Sequence, residues 1–445
     1  MSIRAENEVR VGFVSTRFQG LDGVSLEAAK WAEVMEEGLG FRCFWFAGQL
    51  DKPEERSMLV PEAFFKNKEN QYINKQVFGQ RIRTQDVTNT IHKLKEHLKQ
   101  KIYEFIRSFE IDMLIAQNVL AIPMHIPLGL AVTEVIAETG IPTIAHHHDF
   151  AWERPRFLVN AVEDILQSAF PPDLPSIQHV VINSMAQKDL AARRGLSSIL
   201  IYNVLDFKSI RPAVNDFNAR CRKDLGFEDD DILVLQPTRV VSRKGIEQAL
   251  FLMRRLEMPE AKFLISHSPG DEGFGYFHWL KNTAEMEGVK IHFIYNKLHE
   301  NRKYSTKGNK FYTLWDIYPH MDFITYPSLY EGFGNAFLEA IYFKKPLIVN
   351  RYSVYIVDIE PKGFDVIPID GFLTDDAVDQ VRTILQTPER REEMVEKNFE
   401  LAKNYFSYEV LERQLHEIVC SFYGTFGPEN ARAKKFDLYK RNVLM

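Results

Sequence analysis

Residues 326–348, YPSLYEGFGNAFLEAIYFKKPLI, join a glycine-flanked loop to a helix with almost no polar side. Gly332 and Gly334 bracket Phe333, and residues 335–343 place Ala, Leu, Phe and Ile on nearly every face, so that helix has to be buried. Glu339 nevertheless stands inside it, and Glu331 just before the glycines. A buried carboxylate without a partner is expensive, so both acids need donors. A glycine turn feeding a helix offers backbone N–H groups and the positive end of the helix dipole, a setting that attracts phosphate. Acids would repel phosphate but suit ligand hydroxyls, and phosphate together with hydroxyls points to a nucleotide sugar. The plainer alternative makes Glu331 a helix-terminal charge and Glu339 an ion-pair partner.

With 445 residues, 45% hydrophobic and 26% charged, the chain can bury cores for two or three domains. A net charge of −6 argues against a general nucleic-acid binder. Cys43, Cys221 and Cys420 are widely spaced and odd in number, so they form neither a disulfide framework nor a clustered metal site; this fits a reducing cytoplasm. The opening MSIRAENEVR is too polar for a signal peptide, and the most apolar long segment, 113–132, is broken by Gln117, Asn118, Pro123, His125 and Pro127. A cytoplasmic enzyme without an anchor is expected.

Residues 9–15 read as a strand, followed by the loop TRFQGLDG, a helix from Val24 or Ser25 to about Gly38, and a second strand over 41–47. In such a βαβ unit, ligands bind beyond the carboxyl ends of the strands, where Gly20, Asp22 and Gly23 fall; a simple tight turn is the alternative. Residues 51–86 carry little signal. From Val87 an amphipathic helix follows, with Val87, Ile91, Leu94, Leu98, Ile102 and Ile106 on one stripe. Residues 75–107 hold eight Lys or Arg against three acids. That run reads as a solvated face; contact with an anionic membrane is possible and not favoured.

Strands are expected at 111–116 and 141–145, the latter running into His146, His147, His148 and Asp149. Consecutive histidines on an extended chain alternate sides, so the three cannot share one metal ion. One of them at the strand's end is suited to a sugar contact, and Trp152, Glu153, Arg154 and Arg156 continue the mixture of aromatic and polar groups that a carbohydrate subsite uses; Glu153 could equally pair with Arg156. Further strands are expected at 179–183 and 199–204. The polar stretch after Asp206 marks a domain boundary. The aspartates at 229–231 read as a turn before the strand 232–236. Beyond it, Arg239 and Lys244 lie five residues apart at a strand's carboxyl end, where both can reach one anion, a diphosphate being the natural one. Strands at 262–267, 290–295 and 323–327 complete a second doubly wound sheet.

Arg239 and Lys244 in TRVVSRKG, with Glu331 and Glu339 in EGFGNAFLE, resemble the R…KG and E(X)7E pattern of glycosyltransferase family 4, retaining nucleotide-sugar enzymes of GT-B fold. GLDGV at 20–24, His148 with Asp149, and NVLD at 203–206 resemble the family's GGV loop, HD pair and NGVD hinge; Leu21, Asp22 and Val204 depart from those patterns. The segment NKLHENRKYSTKGNKF is unusually long for the place where the family reads the nucleotide base.

The resemblance implies an α/β GT-B architecture: two doubly wound Rossmann-like domains facing each other across a cleft. These are an acceptor-side domain over 1–206, completed by a C-terminal helix in 407–445, and a donor domain over 207–406. It implies transfer of a hexosyl group, glucose or mannose, from a UDP- or GDP-linked sugar to a hydroxyl of a small soluble sugar or sugar acid, with retention, no metal and no cofactor. Arg239, Lys244, Glu331 and His148 would be catalytic. Arg239, Lys244, Glu331, Glu339 and the backbone of Gly332, Phe333, Gly334 and Asn335 would hold the donor; Gly20, Asp22, Gly23, Asp149 and Glu153 would hold the acceptor. A front-face mechanism, with the leaving phosphate guiding the incoming hydroxyl, fits better than a covalent glycosyl-Glu331. A peripheral-membrane transferase acting on a lipid or polysaccharide precursor and a nucleotide-sugar epimerase of the same fold are the alternatives. The oligomeric state is not expressed in the sequence.

Overall fold

The computed structural model describes residues 8–20, 22–209, 211–269, 273–306 and 308–423. Leu21 and the basic tail ARAKKFDLYKRN lie outside them. Two compact units emerge: residues 1–204 with 408–445, and residues 205–407.

The first unit is built on seven strands, β1 (Arg10–Val14), β2 (Arg42–Ala47), β3 (Ser57–Leu59), β4 (Met113–Gln117), β5 (Thr143–His147), β6 (Ile177–Val181) and β7 (Ile199–Leu200). All pair in parallel in the order β3-β2-β1-β4-β5-β6-β7. Helices cover both faces, so the central strands are apolar throughout rather than alternating: RVGFV and MLIAQ are buried along their whole length. Register places Phe13 opposite Ile115, which brings the ends of β1 and β4 together, and the Ser15 hydroxyl donates to the Gln117 carbonyl at 3.0 Å. The strand order reverses between these two strands.

Three sequence expectations change here. The strand expected at 141–145 extends to His147, because the His146 ring stacks on Trp31 at 4.1 Å and is as buried as an aliphatic residue. The strand expected at 199–204 stops at Leu200, although Ile201 and Val204 remain in the core. Residues 68–77, unread in the sequence, form a helix capped by Asn67.

The basic run at 75–107 lies largely on the helix Gln85–Phe109, and acids of the helix Ile126–Thr139 answer it. Lys95 and Lys99 reach Glu134 at 2.6 and 3.0 Å, and Arg83 binds Asp164 through two hydrogen bonds of 2.6 Å. Among the described residues no helix is long and apolar enough to cross a membrane. The last described helix, Tyr408–Tyr423, sets Leu411, Leu415, Ile418 and Val419 into the core beside Trp31, Ala32 and Met35 of the helix Gly23–Glu37.

The second unit carries six parallel strands: β8 (Ile232–Gln236), β9 (Ala261–Ile265), β10 (Ile291–Phe293) and, after a short antiparallel hairpin of β11 (Lys303–Tyr304) and β12 (Lys310–Phe311), β13 (Phe323–Tyr326), β14 (Leu347–Asn350) and β15 (Ile367–Ile369). Their order is β10-β9-β8-β13-β14-β15, so this sheet reverses between β8 and β13. The hairpin belongs to the long polar insertion. Two of its cations serve the unit itself: Arg302 binds the buried Asp316, and Lys310 donates to the Phe217 carbonyl at 2.6 Å.

Candidate active site

In open parallel sheets ligands bind at the carboxyl edge where the strand order reverses. In the second unit that edge carries two loops, 237–245 after β8 and 327–334 after β13. Thr325 donates to the Gln236 side chain at 2.6 Å, and Gln236 donates in turn to the Thr238 hydroxyl at 2.7 Å, which fixes where the first loop leaves its strand. A short turn, Ser242–Lys244, then ends at Gly245 with φ of 57°. A Cβ at Gly245 would lie 2.4 Å from the Pro327 carbonyl oxygen, so this close approach of the two loops depends on glycine. The Leu329 N–H closes it by donating to the Arg243 carbonyl at 2.8 Å.

That contact places the Lys244 ammonium against the Glu331 carboxylate, and the two are hydrogen-bonded. Lys244 is 8% exposed and the Glu331 side chain 11%. The Arg243 guanidinium is 3.9 Å from the same carboxylate. Burial pushes the Lys244 ammonium below its usual range; Glu331 opposes that, and the positive charges of Arg243 and Arg239 add to it. Burial alone would raise the Glu331 carboxyl, but Lys244 and the hydroxyls of Ser328 and Tyr326 outweigh it and hold the group below the ordinary carboxylate range. Three cations and one carboxylate leave a local charge of about +2, the complement of a diphosphate.

The glycine loop follows directly. Gly334 has φ of 129°, and a Cβ there would meet the Tyr352 hydroxyl at 2.6 Å and the Tyr326 hydroxyl at 3.2 Å. Tyr352 donates to the Phe333 carbonyl at 2.6 Å, and the buried Phe333 ring packs edge-on against Phe406 at 5.2 Å. The Phe333 side chain therefore anchors the loop, and only its backbone is placed to serve a ligand. The helix Asn335–Tyr342 starts at the next residue, so Asn335 supplies the first helical N–H. Within that helix Glu339 accepts a hydrogen bond from the buried Tyr318 hydroxyl at 2.9 Å. Lys244, Glu331 and the cations around them converge; Glu339 lies about one turn into the helix, with Tyr318 as a partner.

The remaining residues belong to the first unit. His147 and His179 are linked at 2.9 Å between ring nitrogens, on the side of the sheet opposite Trp31 and His146. His148 is less buried than His146 or His147. Its N–H donates to the Asn118 side chain at 3.0 Å and its ring meets Gln117 at 3.2 Å. Burial pushes the His148 imidazole down to about 4, against the opposing pull of Asp149 and Asp22, so it is neutral at physiological pH. Asp149 accepts from Asn118 at 2.9 Å and from Arg154 at 2.6 Å. Asp22 caps the helix Gly23–Glu37 by accepting the Ser25 N–H at 3.2 Å and hydroxyl at 2.7 Å, while the Gly20 N–H donates to Asp51 at 3.0 Å.

Glu153 departs from the surface pairing with Arg156 that the sequence left open. It accepts the Phe150 N–H at 2.7 Å, and burial raises its carboxyl to about 7, whereas Arg156 lies over the Phe157 ring at 4.5 Å. The sequence reading missed Arg243, whose only signal is adjacency to Lys244, and Tyr326 and Tyr352, which read as core aromatics.

The chain is similar to known glycosyltransferases. The family of glycosyl transferases group 1 matches residues 218–401. A mannosylglucosylglycerate synthase from Petrotoga mobilis is 31% identical over 384 residues, covering 81% of this chain and 86% of that one. A mannosylglucosylglycerate synthase from Thermotoga maritima is 29% identical over 437 residues, 91% and 98% of the two chains. A glycosyltransferase structure from Rickettsia africae superposes with a TM-score of 0.67 at 13% identity, over 95% of this chain and all of that one, a likeness of GT-B fold.

Proposed function

The chain belongs to the glycosyltransferase family of the mannosylglucosylglycerate synthases, and we propose that this hexosyltransferase carries a mannosyl group from a nucleoside diphosphate sugar to a hydroxyl of a small soluble sugar acid of the glucosylglycerate type. The observation that carries the reading is the cluster of Arg239, Arg243 and Lys244 about Glu331, with its surplus of about two positive charges at the carboxyl edge of β8 and β13. The paired motifs favour glycosyltransferase family 4, and the free cysteines, two of them buried, favour a reducing cytoplasm.

On this reading Arg239 and Arg243 bind the two phosphates, Arg by its planar fork, and Lys244 neutralises the charge that grows on the departing phosphate. Glu331 keeps Lys244 in place and accepts from the hexose hydroxyls, with the backbone of Gly332, Phe333, Gly334 and Asn335 as donors beside it; Glu339 accepts from the ribose. His148, being neutral, offers a hydrogen bond rather than a charge. The acceptor hydroxyl forms its bond to the anomeric carbon on the face that the phosphate leaves, and its proton passes to that phosphate, so the configuration is retained. Glu331, committed to Lys244 and ionised, holds the ammonium rather than attacking carbon. The protein's own cations do the work a divalent metal does in other transferases, and no cofactor is needed.

The test is incubation with GDP-mannose, UDP-mannose, GDP-glucose and UDP-glucose, with and without glucosylglycerate, followed by NMR of the product. An acceptor-dependent α-mannoside is expected, with full activity in EDTA. Inverted stereochemistry, a trapped glycosyl-Glu331, or isomerised donor without acceptor would each displace the reading.

A further inference from the structure

At the reversal between β1 and β4, the first unit has a cavity of 100 Å³, lined among others by Ser15, Arg17, Asp22, Phe65, Gln117 and His125. About three waters would fill it at roughly 30 Å³ each, which is too little for a hexose ring and enough for the carboxylate and neighbouring carbons of a glycerate. Its shape is fixed before any ligand arrives. The Gly48 N–H donates to the Thr16 carbonyl at 3.1 Å, the Phe18 N–H to the Gln49 carbonyl at 2.8 Å, and Phe18 is packed against Trp45 at 4.9 Å.

Arg17 and Gln117 on its wall remain able to serve a ligand. Arg17 contacts Asp22 at 2.9 Å through one nitrogen and lies 5.4 Å from the Phe65 ring centre, so its fork is oriented while most of its five N–H donors are not used by that contact. Gln117 is fully buried, and its Nε2 has no hydrogen-bond partner among the described residues. Such a donor is costly to bury unless something accepts from it. Among the described residues of the wall Asp22 is the one carboxylate, and its oxygens are occupied by Ser25 and Arg17. His125 is saturated as well, with the Glu62 carbonyl at 2.8 Å on one nitrogen and the Leu128 N–H at 3.1 Å on the other.

We infer that this cavity binds the carboxylate end of the acceptor, with Arg17 making a charge-assisted pair to it and Gln117 Nε2 donating a further hydrogen bond. Arg17 is then the residue that selects an acidic over a neutral sugar, and Asp22 is the group that aims it. This rests on the proposed transfer to a sugar acid and adds how the acid is recognised.

The full chain is titrated calorimetrically with glucosylglycerate and with neutral glucosylglycerol, with and without a saturating nucleoside diphosphate. These titrations require no transfer, so their failure is separate from failure of the activity assay. The wild type should bind the acid at least about tenfold more tightly than the neutral compound, the usual worth of a charge-assisted hydrogen bond. Arg17→Met should reduce that preference to within about twofold without lowering the melting temperature, and Arg17→Lys should restore part of it. A wild type that binds both equally or binds neither, or an Arg17→Met variant that keeps the preference, overturns the assignment.

Discussion

Replacing Lys244 by Met separates what the Lys244–Glu331 pair does for folding from what it does for chemistry. Two unit charges about 4 Å apart interact by about 4 kcal/mol at an effective dielectric near 20, and removing one member of a buried pair usually costs about 3–5 kcal/mol because the other charge is stranded. Here Arg243 stays 3.9 Å from Glu331, and the carboxylate side chain keeps 11% of its exposure, so about 2–3 kcal/mol is the expected loss. For a unit of this size that lowers the melting temperature by roughly 5–10 °C. Adding Glu331→Gln removes the stranded charge while keeping a polar side chain beside the Tyr326 hydroxyl, and should return stability to within about 1 kcal/mol of wild type. Turnover should stay down by about 10²–10³ in both variants, because the cation facing the leaving phosphate is absent. The pair has a pH signature. Because the folded Glu331 carboxyl lies below its usual 4.5, its stabilisation is present above that pH and disappears as acid titrates it, so wild type and double variant should converge in acid. Thermal melts from pH 3 to 8 and steady-state transfer rates provide both readouts. A double variant that melts as low as the single one, or that recovers turnover along with stability, would refute the reasoning.

Gly245→Ala should cost about 1–3 kcal/mol in urea unfolding and lower transfer with it, since its Cβ has to displace the Pro327 carbonyl from a 2.4 Å approach and bear a φ of 57°. The His148 ring should show no protonation between pH 5.5 and 8 by NMR, because burial holds it near 4, and His148→Asn should slow transfer without removing an inflection from the rate profile. Glu153, raised to about 7 by burial, gives the opposite stability slope to Glu331. Its contribution is complete below pH 4.5 and is lost as pH rises through 7, so Glu153→Gln should flatten the fall in melting temperature over that interval.

Much of this architecture was legible because buried parallel strands are written as short apolar runs. RVGFV, ILVLQ and FITY stand out for that reason, and helix stops at glycine frame them. The glycines of the two site loops were legible for a different reason: Gly245 and Gly334 are demanded by close approaches that leave no room for a Cβ. What escaped depended on partners remote in sequence. His146 looks polar until Trp31, more than a hundred positions earlier, lies flat against it. The cations at 95 and 99 look like a basic surface until Glu134 arrives from another helix. Arg243 is one more charge in a charged loop until the fold brings Glu331 within 3.9 Å.

The first unit combines segments that precede and follow the second unit along the chain, and this orders events during synthesis. Residues 205–407 form a continuous unit that can close as soon as it has emerged from the ribosome. The earlier residues cannot finish by then, because Leu411, Leu415, Ile418 and Val419, each worth about 1.5–3 kcal/mol when buried, are translated after it. Until they arrive, Trp31 and its neighbours face solvent as a sticky seam on the nascent chain, so the unit begun first is completed second, and a premature stop near residue 405 would leave it a client for chaperones.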